Sequence, residues 1–69
     1  MGSKYDTAIA YNRNAIGMTQ KQLAEASGLK IRQIQKYESG EYRVENMTAK
    51  NLLAIADALG VDPHVLLEG

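Results

Sequence analysis

Residues 19 to 40 read TQKQLAEASGLKIRQIQKYESG. Thr19 stands three residues before Gln22, the spacing at which hydroxyl and side-chain amide each satisfy the other residue's orphan backbone N–H at a helix start. A helix therefore begins at Thr19, with Leu23, Ala24 and Ala26 as its small apolar face, and Ser27-Gly28 as its stop, since glycine takes the left-handed conformation that ends a helix sharply. Leu29, Ile34 and Tyr37 are then spaced to face a core before Ser39-Gly40, which predicts a next helix over Lys30 to Glu38. Two short helices joined through a glycine form the helix-turn-helix pattern where they approach closely at a steep angle. The same pattern also suits an ordinary helical hairpin in a small bundle.

Working outward, Ile9 and Ile16 lie seven residues apart, with Ala8 and Asn12 near the same stripe. This predicts a first helix from about Lys4 to Ile16, ended by Gly17. Glu41 to Met47 has no clean periodicity and reads as a loop. Thr48 then caps a helix that carries Leu52, Ile55, Ala56 and Leu59 inward and stops at Gly60. Asp62-Pro63 sets a capping carboxylate before a proline at the first helical position, and a short fifth helix runs through Leu67. Strand alternation is nearly absent, so the expected class is all-α. Met1-Gly2-Ser3 reads as a free terminus or a remnant of expression cloning and takes no part in the fold reasoning.

Composition narrows the chemistry. A chain of 69 residues supports one small core, and 45% hydrophobic with 23% charged residues describes a sequence able to collapse as a single domain over residues 1–69. With no cysteine and only His64, neither a disulfide framework, a thiolate site nor a histidine metal centre is available, and no cofactor is expected. No apolar run approaches a spanning helix or a signal-peptide core, so the expected compartment is the cytoplasm, with no membrane partner. Ser27, Asp57 and His64 supply the residue types of a hydrolytic triad, but Ser27 reads as a turn residue, Asp57 as outward helix surface and His64 as an isolated surface side chain. The expectation is a protein that is not an enzyme and takes no small-molecule ligand.

Eight basic and eight acidic residues cancel, but they are not evenly spread. Lys21, Lys30, Arg32, Lys36 and Arg43 against Glu25, Glu38 and Glu41 give residues 19–43 a net of +2. Lys50 against Glu45, Asp57, Asp62 and Glu68 gives residues 44–69 a net of −3. A basic middle and an acidic end leave room for one positive face despite the zero total.

Gly17-Met18-Thr19-Gln20, Leu23-Ala24, Ser27-Gly28-Leu29, Ile34, Tyr37-Glu38 and Gly40 resemble the Cro/C1-type helix-turn-helix family, also called the xenobiotic-response-element family. Residues 52 to 61, LLAIADALGV, with Leu66-Leu67, are similar to that family's fourth and fifth helices, so the resemblance covers about residues 9–67. It implies a five-helix, lambda-repressor-like DNA-binding domain whose helix-turn-helix is formed by helices 2 and 3. The helix beginning near Lys30 would be the recognition helix of a sequence-specific, repressor-like transcriptional regulator.

The residues support that reading in their own chemistry. Lys30, Arg32, Gln33, Gln35 and Lys36 can all donate hydrogen bonds, and no acid precedes Glu38 on this helix. An α-helix fits the major groove, where arginine or lysine pairs with guanine and glutamine with adenine. By resemblance, base contacts fall on Ile31, Arg32 and Lys36, with Gln33 or Gln35 alongside; Ile31 is limited to apolar contact such as a thymine methyl. The start of helix 2 offers a phosphate its free N–H groups. Resemblance sets Gln20, Ser39, Tyr42 and Arg43 at phosphates, with Lys21 and Lys30 as further cations and Thr19 chiefly a cap. Glu41 departs from the pattern, since family members often carry a basic residue there and an acid opposes phosphate.

The family's scaffold salt bridge between helix 1 and the end of the recognition helix maps onto Arg13 and Glu38. Its dimer interface includes helix 5, which here means Val65, Leu66 and Leu67, although the same three residues also suit burial within one chain. One recognition helix reads few base pairs, so the implied partners are double-stranded DNA with a palindromic operator and a second copy of the chain. The alternative is a protein-interaction or antitoxin-like module that keeps the fold with weak or no DNA binding; the zero net charge favours it and the cationic helix face opposes it.

Overall fold

The computed structural model describes residues 7–68. Five helices follow one another, α1 (Ala8–Ala15), α2 (Gln20–Ser27), α3 (Ile31–Ser39), α4 (Ala49–Leu59) and α5 (Pro63–Glu68), with a 3-10 turn at Val44–Asn46. The described residues contain no strand, and none of their helices is long and apolar enough to cross a membrane.

Each helix starts and stops where its local chemistry directs. Thr7, Thr19 and Thr48 cap α1, α2 and α4 by accepting the N–H groups of Ala10, Gln22 and Asn51. Gly28, Gly40 and Gly60 close α2, α3 and α4 in the left-handed conformation, which costs an L side chain energy that glycine avoids. Asp62 accepts the His64 N–H at 2.8 Å and opens α5.

Ile9, Leu23, Ile34, Ile55 and Leu66 are the large side chains with essentially no exposure, one from each of the five helices. Ala24, Tyr37, Met47, Ala56 and Leu59 fill the space between them. Ala24 and Ala56 matter by their size, since small residues let helices approach closely where α2 packs on α3 and α4.

Several expectations need correction. Helix α1 starts at Ala8 with Thr7 as its cap; the expected start at Lys4, like Met1-Gly2-Ser3, lies outside the described residues. Ile16 is exposed, because α1 ends at Ala15 and the helical period that aligned Ile16 with Ile9 no longer applies. Ala26 is exposed as well: at 100° per residue it lies about 110° from the centre of the arc that Leu23 and Ala24 bury. Lys30 is the cap of α3 rather than its first residue, and the helix runs on to Ser39. The expected loop after Gly40 includes the 3-10 turn, which drives Met47 into the core.

Candidate nucleic-acid interface

The orientation of α3 is fixed by one buried carboxylate. Glu38, 6% exposed, accepts from Arg13 Nε at 2.7 Å and Nη2 at 2.9 Å, a bidentate contact, and from Gln20 Nε2 at 2.9 Å. Arg13 also donates through Nη1 to the Met18 carbonyl at 2.7 Å, tying down the chain between α1 and α2. Every buried side-chain polar atom among the described residues has a partner. The Glu38 carboxylate raises the Arg13 pKa above its ordinary value through these hydrogen bonds, against the opposing effect of burial. The helix-turn-helix is thus joined to α1 at one end of α3.

The outward face of α3 carries Ile31, Arg32 and Gln35, all exposed, and Lys36, half-buried. Arg32 has no ion-pair partner among the described residues, nor do Lys21 and Lys30. Gln33 uses its side-chain carbonyl to accept the Lys30 N–H at 3.0 Å, so it serves the start of α3. Gln35 donates to Gln20 Oε1 at 3.5 Å, a long contact that bridges the outer edges of α2 and α3. Arg32, Gln35, Lys36, Ser39 and Glu41 line one open groove along this face.

The residues expected at phosphates divide in two. Thr19 is committed as a cap: its hydroxyl accepts the Gln22 N–H at 3.0 Å and its own N–H donates to Gln22 Oε1 at 2.8 Å. Gln20 is likewise committed through its side chain to Glu38, which leaves its backbone N–H, with that of Lys21, at the open start of α2. Ser39 donates to the Lys36 carbonyl at 3.1 Å and accepts the Glu41 N–H at 3.3 Å. Tyr42 stands edge-on to Tyr37, ring centres 5.5 Å apart. Arg43 pairs with Glu45 at 3.1 Å on the surface, which raises the arginine pKa and lowers that of the glutamate.

Two of the contacts not read from the sequence bear most on this face. Lys36 Nζ pairs with Glu41 at 2.7 Å, across the turn that Gly40 makes. Gln20 joins Glu38 from 18 positions away. The first had a sequence signal, an acid just beyond a glycine stop and five residues from a lysine, but a partner for that acid requires the turn's geometry. On α5, Leu66 lies in the chain's own core and is withdrawn from the expected interface, while Val65 and Leu67 are exposed. Successive helical positions point about 100° apart, and the rotation of α5 turns Leu66 alone of these three into the core.

Helices α2 and α3, packed through the turn at Gly28, define a helix-turn-helix protein. A helix-turn-helix family model matches residues 9–66, and the chain belongs to the Cro/C1-type helix-turn-helix family. It is 41% identical over 58 residues to the cryptic phage CTXphi transcriptional repressor RstR of Vibrio cholerae serotype O1 (strain ATCC 39315 / El Tor Inaba N16961), a match over 84% of this chain and 49% of that protein. The chain therefore spans about half the length of the curated relative it matches. Among solved structures it is similar to the restriction-modification controller protein C.AhdI from Aeromonas hydrophila, with TM-score 0.79 and 32% identity over 91% of each chain.

Proposed function

We propose that this chain is a cytoplasmic, non-catalytic regulator that binds double-stranded DNA in a sequence-specific way, as a homodimer on a palindromic operator. The observation that carries the reading is Arg32, an exposed guanidinium unpaired among the described residues, near the start of a helix whose direction the buried Arg13–Glu38–Gln20 cluster fixes. A guanidinium so presented suits the O6 and N7 acceptors of guanine, and Ile31 beside it suits a thymine methyl. The free N–H groups of Gln20 and Lys21, the Lys21 and Lys30 side chains, and Ser39, Tyr42 and Arg43 supply phosphate contacts, which set register rather than sequence preference. Val65 and Leu67 on α5 supply apolar surface for a second copy, whose recognition helix would lie about 34 Å away on the next turn of the groove. Both relatives, a phage repressor and a controller protein, agree with a regulatory role.

Salt dependence tests the reading. Binding to a pool of random duplexes should weaken with salt, the logarithmic slope growing by about 0.9 for each phosphate neutralised. No binding at low salt, together with salt-insensitive capture of a protein partner, would favour an interaction module instead.

A further inference from the structure

At the far end of α3 the cation and the acid of the groove are already joined. Gly40, with φ 85°, turns the chain back so that Glu41 lies beside the helix it has just left. Ser39 Oγ then accepts the Glu41 N–H, and the Tyr42 N–H donates to the Lys36 carbonyl at 3.1 Å, which presets the loop against the last turn of α3. In that setting Lys36 Nζ meets Glu41 Oε2 at 2.7 Å and lies 5.2 Å from the centre of the Tyr42 ring. Tyr42 in turn rests on the buried Tyr37. The ammonium is held from two sides, by a charge-assisted hydrogen bond and by an aromatic face.

We propose that Glu41 is a specificity-determining residue: its carboxylate keeps Lys36 from reading a base, so that Arg32 alone supplies the cationic base contact of the recognition helix. This role rests on the DNA-binding reading given above. Three observations support it. Arg32 and Lys36 line the same groove, but of these two only Arg32 lacks an ion-pair partner among the described residues. The hold on Lys36 combines an ion pair with a cation–π contact, together of the same order as one lysine–base contact, so the pair competes with DNA for the ammonium. Glu41 is itself exposed on the groove, where its charge discourages a neighbouring phosphate. The pairing also raises the Lys36 pKa, and a single substitution at Glu41 frees the ammonium.

The test is a double-mutant cycle read by selection of bound duplexes from a random library, with wild type, Glu41→Gln, Lys36→Met and the double variant. Both substituted positions lie at or near the surface, and circular dichroism melts check that each variant is folded. Wild type and Lys36→Met should enrich the same consensus. Glu41→Gln should add one guanine preference per half-site and bind the duplex carrying it about fivefold or more tighter than wild type does. The double variant should lose the new preference. A Glu41→Gln consensus identical to wild type, or a wild-type consensus altered by Lys36→Met, overturns the role of Glu41 and leaves the DNA reading intact. Failure of the wild type to enrich any duplex overturns the DNA reading and this role with it.

Discussion

Replacing Arg13 with methionine isolates the contact that orients the recognition helix. The change removes two hydrogen bonds to Glu38 and one to the Met18 carbonyl, and strands a carboxylate whose side chain is 7% exposed. Breaking a buried pair from one side costs about 3–5 kcal/mol, mostly as the penalty of an uncompensated buried charge. Here Gln20 Nε2 still donates to Glu38 Oε1, so the lower end, about 3 kcal/mol, is expected. A domain of this size has about 3–10 kcal/mol in total, and each kcal/mol moves its Tm by about 4–8 °C, so Tm should fall by about 12–24 °C. Thermal and urea melts followed by circular dichroism measure it. The double variant Arg13→Met with Glu38→Leu should recover much of the loss, because it also removes the stranded charge. The reasoning is refuted if Arg13→Met costs less than about 1 kcal/mol, or if the double variant is no more stable than the single one.

Thr19→Ala removes one half of the reciprocal cap and should cost about 1 kcal/mol in a urea melt, with Thr19→Ser close to wild type. Leu66→Ala empties a core position and should cost about 2–5 kcal/mol, whereas Leu67→Glu should leave stability near wild type and shift sedimentation equilibrium toward monomer. Asp62 accepts the His64 N–H and its pKa lies below the ordinary carboxylate value, chiefly through that backbone hydrogen bond. A depressed carboxylate stabilises the fold above its unfolded value of about 3.9, and the contribution disappears as pH falls through the folded value. The stability gap between wild type and Asp62→Ala should therefore be present at neutral pH and close in acid; a gap that persists in strong acid contradicts the assignment.

The elements were legible because their ends are chemical. Thr19 with Gln22, Thr48, and the glycines at 28, 40 and 60 each act within one turn of chain, so their effect is local and can be read without the fold. Facing was legible only where a helix continues: Leu23, Ile34, Ile55 and Leu59 point inward, while Ile16 falls past the end of α1 and Ala26 past the edge of a narrow buried arc. Val65, Leu66 and Leu67 could not be separated by composition, and their split follows from the rotation of α5 against the core. At the candidate interface the cationic face of α3 was visible as residue types, and the resemblance pointed to Arg13 with Glu38. The pairing of Lys36 with Glu41 depends on how the Gly40 turn folds the acid back, and that of Gln20 with Glu38 on a helix crossing, which no local pattern encodes.

The central claim is that α3 reads DNA through Arg32. Selection from a random duplex library, run in parallel for wild type and Arg32→Ala, tests it most directly. Wild type should yield a palindromic consensus with a guanine in each half-site, and Arg32→Ala should lose that guanine with the fold intact by circular dichroism. Enrichment of the same consensus by both proteins, or of none by wild type at low salt, would contradict it.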